Sequence, residues 1–322
     1  MNAIMADNGS FYYNIQGQAE GTSYNIIYQD NQDRDFQPEI EALLADFEKS
    51  LSVYDSNSII SRINRNEDVQ IDDYFTTVFT RAKEISARTN NSFDISAEPL
   101  FRAWGFSSQE KYPPNNTQIE ELKKYIGMDK VRIENNRIVK EHPNVVLNVN
   151  AIAKGYSADI IASFLNEHGC QHYLVEIGGE IHLKGENTQG EAWRIGIDRP
   201  AESNPIPGQD LQVILQITNK GIATSGNYRQ FYIENGQKIT HTINPATGYP
   251  AKHNLLSTTV IAEDALTADA FATAFMVVGL EKAHEWINQL PGLDAVFICD
   301  EDGEYKMYCT PALEDKIVQE YS

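Results

Sequence analysis

Cysteine is scarce in this chain of 322 residues: Cys170, Cys299 and Cys309 are the whole set, and no two stand in a CxxC or other ligand spacing. An odd, unspaced set argues against a disulfide framework and a structural zinc site, and three buried free thiols are expected. Cys299 and Cys309 lie on two strand-like stretches around an Asp-Gly turn and could be close. Positive charge is also short: 26 Lys and Arg face 46 Asp and Glu, a net charge of −20. Such a surface repels phosphate backbones and anionic lipid, and the basic residues form no patch, so no nucleic-acid partner is expected. No apolar run reaches the ~18 residues of a membrane span. The opening MNAIMADNGSFYYN lacks the basic-then-apolar profile of a secretory signal, and can be the start of a chain from which an export segment was trimmed. Neither GxGxxG after a strand nor GxxxxGKS/T occurs, which removes the usual dinucleotide and phosphate-loop frames; internal repeats and long linkers are missing too.

What is present is an ordinary globular balance, 41% hydrophobic and 22% charged, in a length that holds one large domain or two interlocked subdomains. Residues 1–322 are read as a single domain, with the strongest break in composition at DRPAESNPIPGQD (198–210). Ile40, Leu43, Leu44, Phe47 and Leu51 recur at helical spacing after Pro38, which predicts a helix over 38–51. Further helices fit 74–88, 117–126 with Asn116 or Thr117 as cap, 152–168, 265–278 and 281–290. Strands fit 21–30, 144–149, 172–185 with a break at the glycine pair, 193–198, 211–218 and 256–264. Asn135-Asn136, Asn235-Gly236 and Asp302-Gly303 mark hairpin turns. Strands arrive in hairpins more often than in βαβ units, so the expected class is α+β, with mixed, mostly antiparallel sheets and packed helices.

Several stretches carry residues that chemistry could use. In LNVNAIAKGYSAD (147–159) a strand gives way to a helix near Ala151, and free N–H groups at such a start favour an anion. Lys154 in the first turn opposes the helix dipole; a nearby phosphate or carboxylate would make it tolerable, and pointing to solvent is the plainer alternative. In TADAFATAFMVVG (267–279), Asp269 and Thr273 are four apart and share a face of an otherwise apolar helix. Carboxylate, hydroxyl and carbonyl oxygens suit magnesium, while a capping aspartate with a packed threonine is the bland reading. FDISAEPLFRAWGF (93–106) either walls a ring pocket or is core. SVYDSNSIISRIN (52–64) sets Tyr54 at a helix exit, and Thr224-Ser225-Gly226 is a phosphate cradle or just a turn. THTINPATGYP (240–250) holds His241 against a stiff loop, where it either acts or merely packs.

Taken in order, the blocks GQAEGTSYNI, SVYDSNSIISRIN, FDISAEPLFRAWGF, LNVNAIAKGYSAD, VEIGGEIHLKG, WRIGIDRP, ATSGNY, HTINPATGYP and TADAFATAFMVVG resemble the ApbE-type FAD:protein FMN transferases, from about Gly17 to Ala312. The resemblance implies that FAD is cut at its pyrophosphate with Mg²⁺ present. The FMN half then moves to a Thr or Ser hydroxyl of a target protein, leaving AMP. It further implies Asp269 and Thr273 as side-chain ligands of Mg²⁺, with Ala151 giving its carbonyl oxygen. Tyr54, Phe93, Asp94, Ile95, Asn148, Lys154 and Ile243 match positions that line the flavin nucleotide, and His241 matches the histidine needed for transfer. A neutral imidazole is a natural proton acceptor near pH 7. The same scaffold could serve as a Mg²⁺-dependent FAD pyrophosphatase or as a flavin-binding protein without turnover. Kinship also implies work in the periplasm or cell envelope, with a lipid-anchored precursor and a membrane redox subunit as acceptor.

The chain departs from the family pattern at named positions. Asn148 stands where many relatives have Asp, so an amide replaces a charge. Asn150 replaces a glycine, Glu20 a common methionine and Asn244 a common aspartate before proline. Ala272 stands where some relatives carry a second carboxylate, which favours one metal over two.

Overall fold

The computed structural model describes residues 2–5, 11–107, 113–201, 203–204, 208–228, 230–234 and 236–321. The chain opens with β1 (Asn2–Met5), β2 (Phe11–Ala19), β3 (Thr22–Gln29), α1 (Gln37–Leu51), α2 (Ile59–Asn64), α3 (Asp73–Arg88), α4 (Glu98–Ala103) and α5 (Asn116–Lys123). Next come β4 (Val131–Glu134), β5 (Arg137–Lys140), α6 (Ala153–Glu167), β6 (Tyr173–Ile177), β7 (Glu180–Lys184), β8 (Trp193–Asp198), β9 (Leu211–Ile217) and β10 (Lys220–Gly226). It closes with β11 (Phe231–Glu234), β12 (Gln237–Thr240), β13 (Leu255–Ala262), α7 (Ala265–Val278), α8 (Leu280–Ile287), β14 (Asp294–Glu301), β15 (Glu304–Cys309) and β16 (Ile317–Glu320).

The central layer is a nine-stranded sheet in the order β1-β2-β3-β6-β7-β10-β13-β14-β15. Every neighbouring pair in it is antiparallel, so the class is α+β as expected. Alternation along the strands assigns its two faces. Ile222, Ile261, Val296 and Ile298 face the small sheet β16-β9-β8 with its Trp193, Val213 and Leu215. Ala223, Val260, Ala295 and Phe297 face the helices instead, in one cluster with Phe271 and Phe275 of α7. Each fully buried side chain of Val or Phe size contributes roughly 1.5–3 kcal/mol. A second helix-side cluster joins Tyr24, Ile26 and Val175 of the sheet to Ile40 and Leu44 of α1 and Ile161 of α6.

Turn chemistry explains the hairpins. Asn135 and Asn136 adopt φ of 50° and 59°, and Asp302 and Gly303 adopt 56° and 87°, the left-handed region that Asn, Asp and Gly tolerate best. Of the third predicted turn, Asn235 lies outside the described residues, although β11 and β12 do pair. The stretch 144–149 is not a strand: among the described residues its one bridge is Val146 to Ala97. Its polar backbone groups bond to loops and side chains instead, with Asn148 N–H donating to the Ile95 carbonyl (2.7 Å) and Leu147 N–H to Asn64 Oδ1 (2.8 Å). The cap of α5 is Asn115, one residue before the expected position, in a reciprocal capping box with Gln118. The composition break at 198–210 is the connection between the paired strands β8 and β9.

Cys170, Cys299 and Cys309 are free thiols, the first two buried. Cys309 lies opposite Val296, while Cys299 lies opposite Lys306, so the two are offset along the hairpin. Burial pushes the thiols of Cys170 and Cys299 up to about 11.

Apart from Thr267, Asp269 and Thr273, helix α7 is apolar all round, as suits a helix wedged between α6, α3 and the strands β10 and β13. Gly155 of α6 permits the closest approach: a Cβ there would stand 2.3 Å from the Ala265 carbonyl oxygen and 2.9 Å from the Asp269 Cβ. Neither neighbour can yield without moving the helix. The Gly155→Ala variant is therefore expected to lose about 3 kcal/mol, read as a lower urea midpoint at unchanged slope. A parental midpoint would refute this account of the helix pair.

Candidate functional site

The start of α7 is held from several sides. Asp264 accepts the Thr267 N–H at 2.6 Å, and Asp159 of α6 accepts those of Ala265 and Leu266 at 2.8 Å each. His182 Nδ1 of β7 sits 2.6 Å from the same Asp159 carboxylate. One turn further on, Asp269 is buried, which settles one alternative: it is not the helix cap. Its Oδ2 accepts the Gly155 N–H at 3.2 Å. In an ordinary first turn that N–H would look back to the carbonyl of Ala151, four residues earlier. Diverted to Asp269, it leaves the Ala151 carbonyl oxygen without a hydrogen bond among the described residues. Thr273, four residues beyond Asp269, is half-buried, and its Oγ1 lies 3.3 Å from Ser225 Oγ at the end of β10.

Lys154 does not simply enter solvent. Its Nζ donates to both oxygens of Glu180 at 2.8 Å, and Glu180 is buried at the start of β7. The glycine pair before Glu180 makes room: a Cβ on Gly178, at φ +63°, would press on Thr22 and stand 3.2 Å from Lys154 Cδ. Burial alone would lower the Lys154 ammonium, but the carboxylates of Glu180, Asp269 and Glu20 outweigh it and keep the lysine charged. Burial raises the Glu180 carboxyl against the pull of Lys154. It likewise pushes Glu20 up to about 7, with Ser157 opposing and Glu48 and Asp269 adding to the rise. Three acidic groups around one ammonium form a cluster short of positive charge.

The donor set fits a magnesium ion. Asp269 offers a carboxylate, Thr273 a hydroxyl and Ala151 an unclaimed carbonyl, all hard oxygens, and the surrounding charge favours a cation. Among the described residues no three His, Cys, Asp or Glu side chains form a metal cage, so a cation here would lean on neutral oxygens and on ligand phosphates.

A second group of loops carries Tyr54, Asn148 and Asp94. Tyr54 is 84% exposed, and its hydroxyl accepts from Asn150 Nδ2 at 3.1 Å. Asn148 is half-buried, with its Nδ2 donating to Glu98 Oε2 at 2.7 Å. Asp94 accepts from the Ser96 N–H and hydroxyl at 2.8 and 2.6 Å, while burial raises its carboxyl. Phe93, Ile95 and Ile243 are buried in hydrophobic clusters, so their side chains are closed to a ligand.

The third part is the loop after β12. Asn244 N–H donates to the Tyr249 carbonyl at 2.9 Å, Gly248 N–H to that of Asn244 at 2.8 Å, and Trp104 Nε1 to that of Gly248 at 2.8 Å. Ile243 and Pro250 form a bridge that closes it. At its root, His241 packs edge-on against Phe106, ring centroids 6.2 Å apart, with Nδ1 3.2 Å from the Gln230 carbonyl oxygen. That carbonyl only accepts, so the proton sits on Nδ1 and Nε2 keeps its lone pair. Burial lowers the His241 pKa, opposed by the Gln230 carbonyl, so the ring is neutral near pH 7.

The sequence profile of the ApbE family matches residues 21–297, most of the chain. The chain belongs to the ApbE family. It is 34% identical over 287 residues to the FAD:protein FMN transferase of Haemophilus influenzae, covering 84% of this chain and 82% of that protein. It is 32% identical over 311 residues to the protein of the same name from Vibrio cholerae, covering 93% and 91%. Among solved structures, the apo flavinyl transferase ApbE of Pseudomonas stutzeri superposes with a TM-score of 0.86 at 29% identity, over 96% of this chain and 98% of its own. The flavin transferase ApbE from Vibrio cholerae does so with 0.83 at 30% identity, over 95% and 99%.

Within this ApbE chain, the structure gathers Lys154, Asp269, Thr273 and Ala151 on α6, α7 and the turn between Val149 and Ala153. It sets Tyr54, Asp94 and Asn148 around a second loop cluster and His241 on a third. Sequence reasoning missed Glu180 and Glu98, and marked Ser225 only as part of the Thr224-Ser225-Gly226 turn, not as the neighbour of Thr273. A carboxylate directly after a glycine pair was the available signal for Glu180; nothing local marks Glu98.

Proposed function

We propose that this ApbE chain is a Mg²⁺-dependent transferase that cuts FAD at its pyrophosphate and moves the FMN half onto a Thr or Ser hydroxyl of an acceptor protein. The observation that carries the reading is the Ala151 carbonyl freed when the Gly155 N–H turns to Asp269. Asp269, Thr273 and Ala151 would hold Mg²⁺, which when bound neutralises charge on the pyrophosphate oxygens. Lys154, steadied by Glu180, adds a fixed positive charge for the nucleotide phosphates. His241 Nε2 takes the proton of the acceptor hydroxyl while that oxygen bonds to the FMN phosphorus. The P–O bond to the AMP phosphate breaks, and AMP leaves with the electron pair. The acceptor in this reading is a membrane redox subunit and the workplace the cell envelope.

Incubation with FAD, Mg²⁺ and a Thr- or Ser-bearing acceptor protein tests this. AMP together with a covalently fluorescent acceptor is the expected result. AMP with free FMN alone would mean that water replaces the hydroxyl and the chain is a pyrophosphatase. No AMP at all would leave only a flavin binder.

A further inference from the structure

Glu98 has no part in the mechanism above, yet it is a buried acid at the first residue of α4, 6% exposed. Its Oε2 accepts from Asn148 Nδ2 at 2.7 Å and from Ser107 Oγ at 3.3 Å, and its Oε1 lies 3.6 Å from Arg102 Nη2. An ionised carboxylate only accepts, so the nitrogen end of the Asn148 amide must face it. At the other end, Asn148 Oδ1 accepts the Asn150 N–H at 2.9 Å, and a backbone N–H only donates. The two contacts forbid a flip of the amide. The Asn148 backbone is pinned as well, through its N–H to the Ile95 carbonyl at 2.7 Å.

A carboxamide has two N–H groups and two strong lone-pair sites. With one of each spent, Asn148 keeps one donor and one acceptor in a fixed plane, and among the described residues no protein group takes them. We infer that Glu98 is a positioning residue for the nucleotide, locking Asn148 to read a planar ring edge that carries both a donor and an acceptor. This rests on FAD being the substrate. FAD offers that chemistry twice, at the amino edge of adenine and at the imide edge of the flavin.

The negative charge that an aspartate at 148 would carry thus sits at 98 in this chain. An aspartate at 148 would set two carboxylates in the space of a 2.7 Å hydrogen bond. The exchange is testable. Asn148→Asp is expected to weaken FAD binding, followed by flavin fluorescence, at least about tenfold, whereas Glu98→Gln/Asn148→Asp recovers only the part of that loss due to the facing carboxylates, because an aspartate still lacks the N–H donor. Glu98→Gln alone replaces an obligate acceptor by an amide that can also donate, leaves the Asn150 N–H as the one contact that fixes the Asn148 amide, and costs about three- to tenfold. Competition by AMP and by FMN identifies the edge: the ligand whose affinity falls in Glu98→Gln is the one Asn148 reads.

A rescue that merely restored folding would lift the thermal midpoint without discriminating AMP from FMN, so both are measured. Parental FAD affinity in Asn148→Asp, or a double variant no tighter than Asn148→Asp, overturns the inference. If Asn148→Asp does not fold, parental affinity in Glu98→Gln overturns it. Failure of the parent itself to bind FAD would sink the substrate assignment instead, a distinguishable result.

Discussion

Asp269→Asn is expected to cut Mg²⁺-stimulated FAD cleavage by about 10³-fold, because it removes the one charged oxygen donor while keeping the shape of the side chain. The amide oxygen can still accept the Gly155 N–H, so the α6–α7 contact survives and stability changes little compared with Gly155→Ala. AMP release measured against Mg²⁺ concentration, with a thermal melt as control, separates the two effects. The burial of Asp269 is what makes the loss large. A carboxylate kept from water at the cost of desolvation gains most from a cation, and the Lys154 ammonium is already shared with Glu180. Should the asparagine variant answer to Mg²⁺ as the parent does, Asp269 is no ligand and α7 is only scaffold.

His241→Ala is expected to slow labelling of an acceptor by about 10²–10⁴-fold, the range for loss of a general base, with FAD affinity largely kept. The pH dependence follows from the sign of the shift. Burial lowers the His241 pKa below its ordinary 6.5, so the neutral, proton-accepting form persists to lower pH than for a free imidazole. The acid limb of the labelling rate should therefore lie below pH 6.5 and vanish in His241→Ala. A limb centred above that ordinary value, or one that survives the substitution, would point to another base.

Much of the fold was legible where local chemistry decides it. The apolar spacing of Ile40, Leu44 and Phe47 marked α1 to within a residue, and Asn135-Asn136 and Asp302-Gly303 announced their turns because few residues accept positive φ. Residues 144–149 misled because Val145, Val146 and Leu147 have the composition of a strand. Only tertiary contacts, the Asn64 side chain and the Ile95 carbonyl, decide that the segment pairs with loops.

The site divides in the same way. Asp269 and Thr273 were visible because helical periodicity brings them together on one element. Glu180 meets Lys154 across 26 residues, Glu98 meets Asn148 across 50, and Ser225 meets Thr273 across 48, separations that no periodicity spans. Lys154 looked as if it could simply be solvated because the one acid of its own stretch, Asp159, is spent on the start of α7; its partner enters from another strand.

The three unpaired thiols have a practical consequence. Two are held almost wholly protonated by burial, and a protonated thiol is a poor nucleophile toward disulfides or oxidants. No sulfur crosslink supports the architecture, so the fold itself makes no demand for an oxidising compartment. Material produced in either setting should be interchangeable, without oxidative refolding.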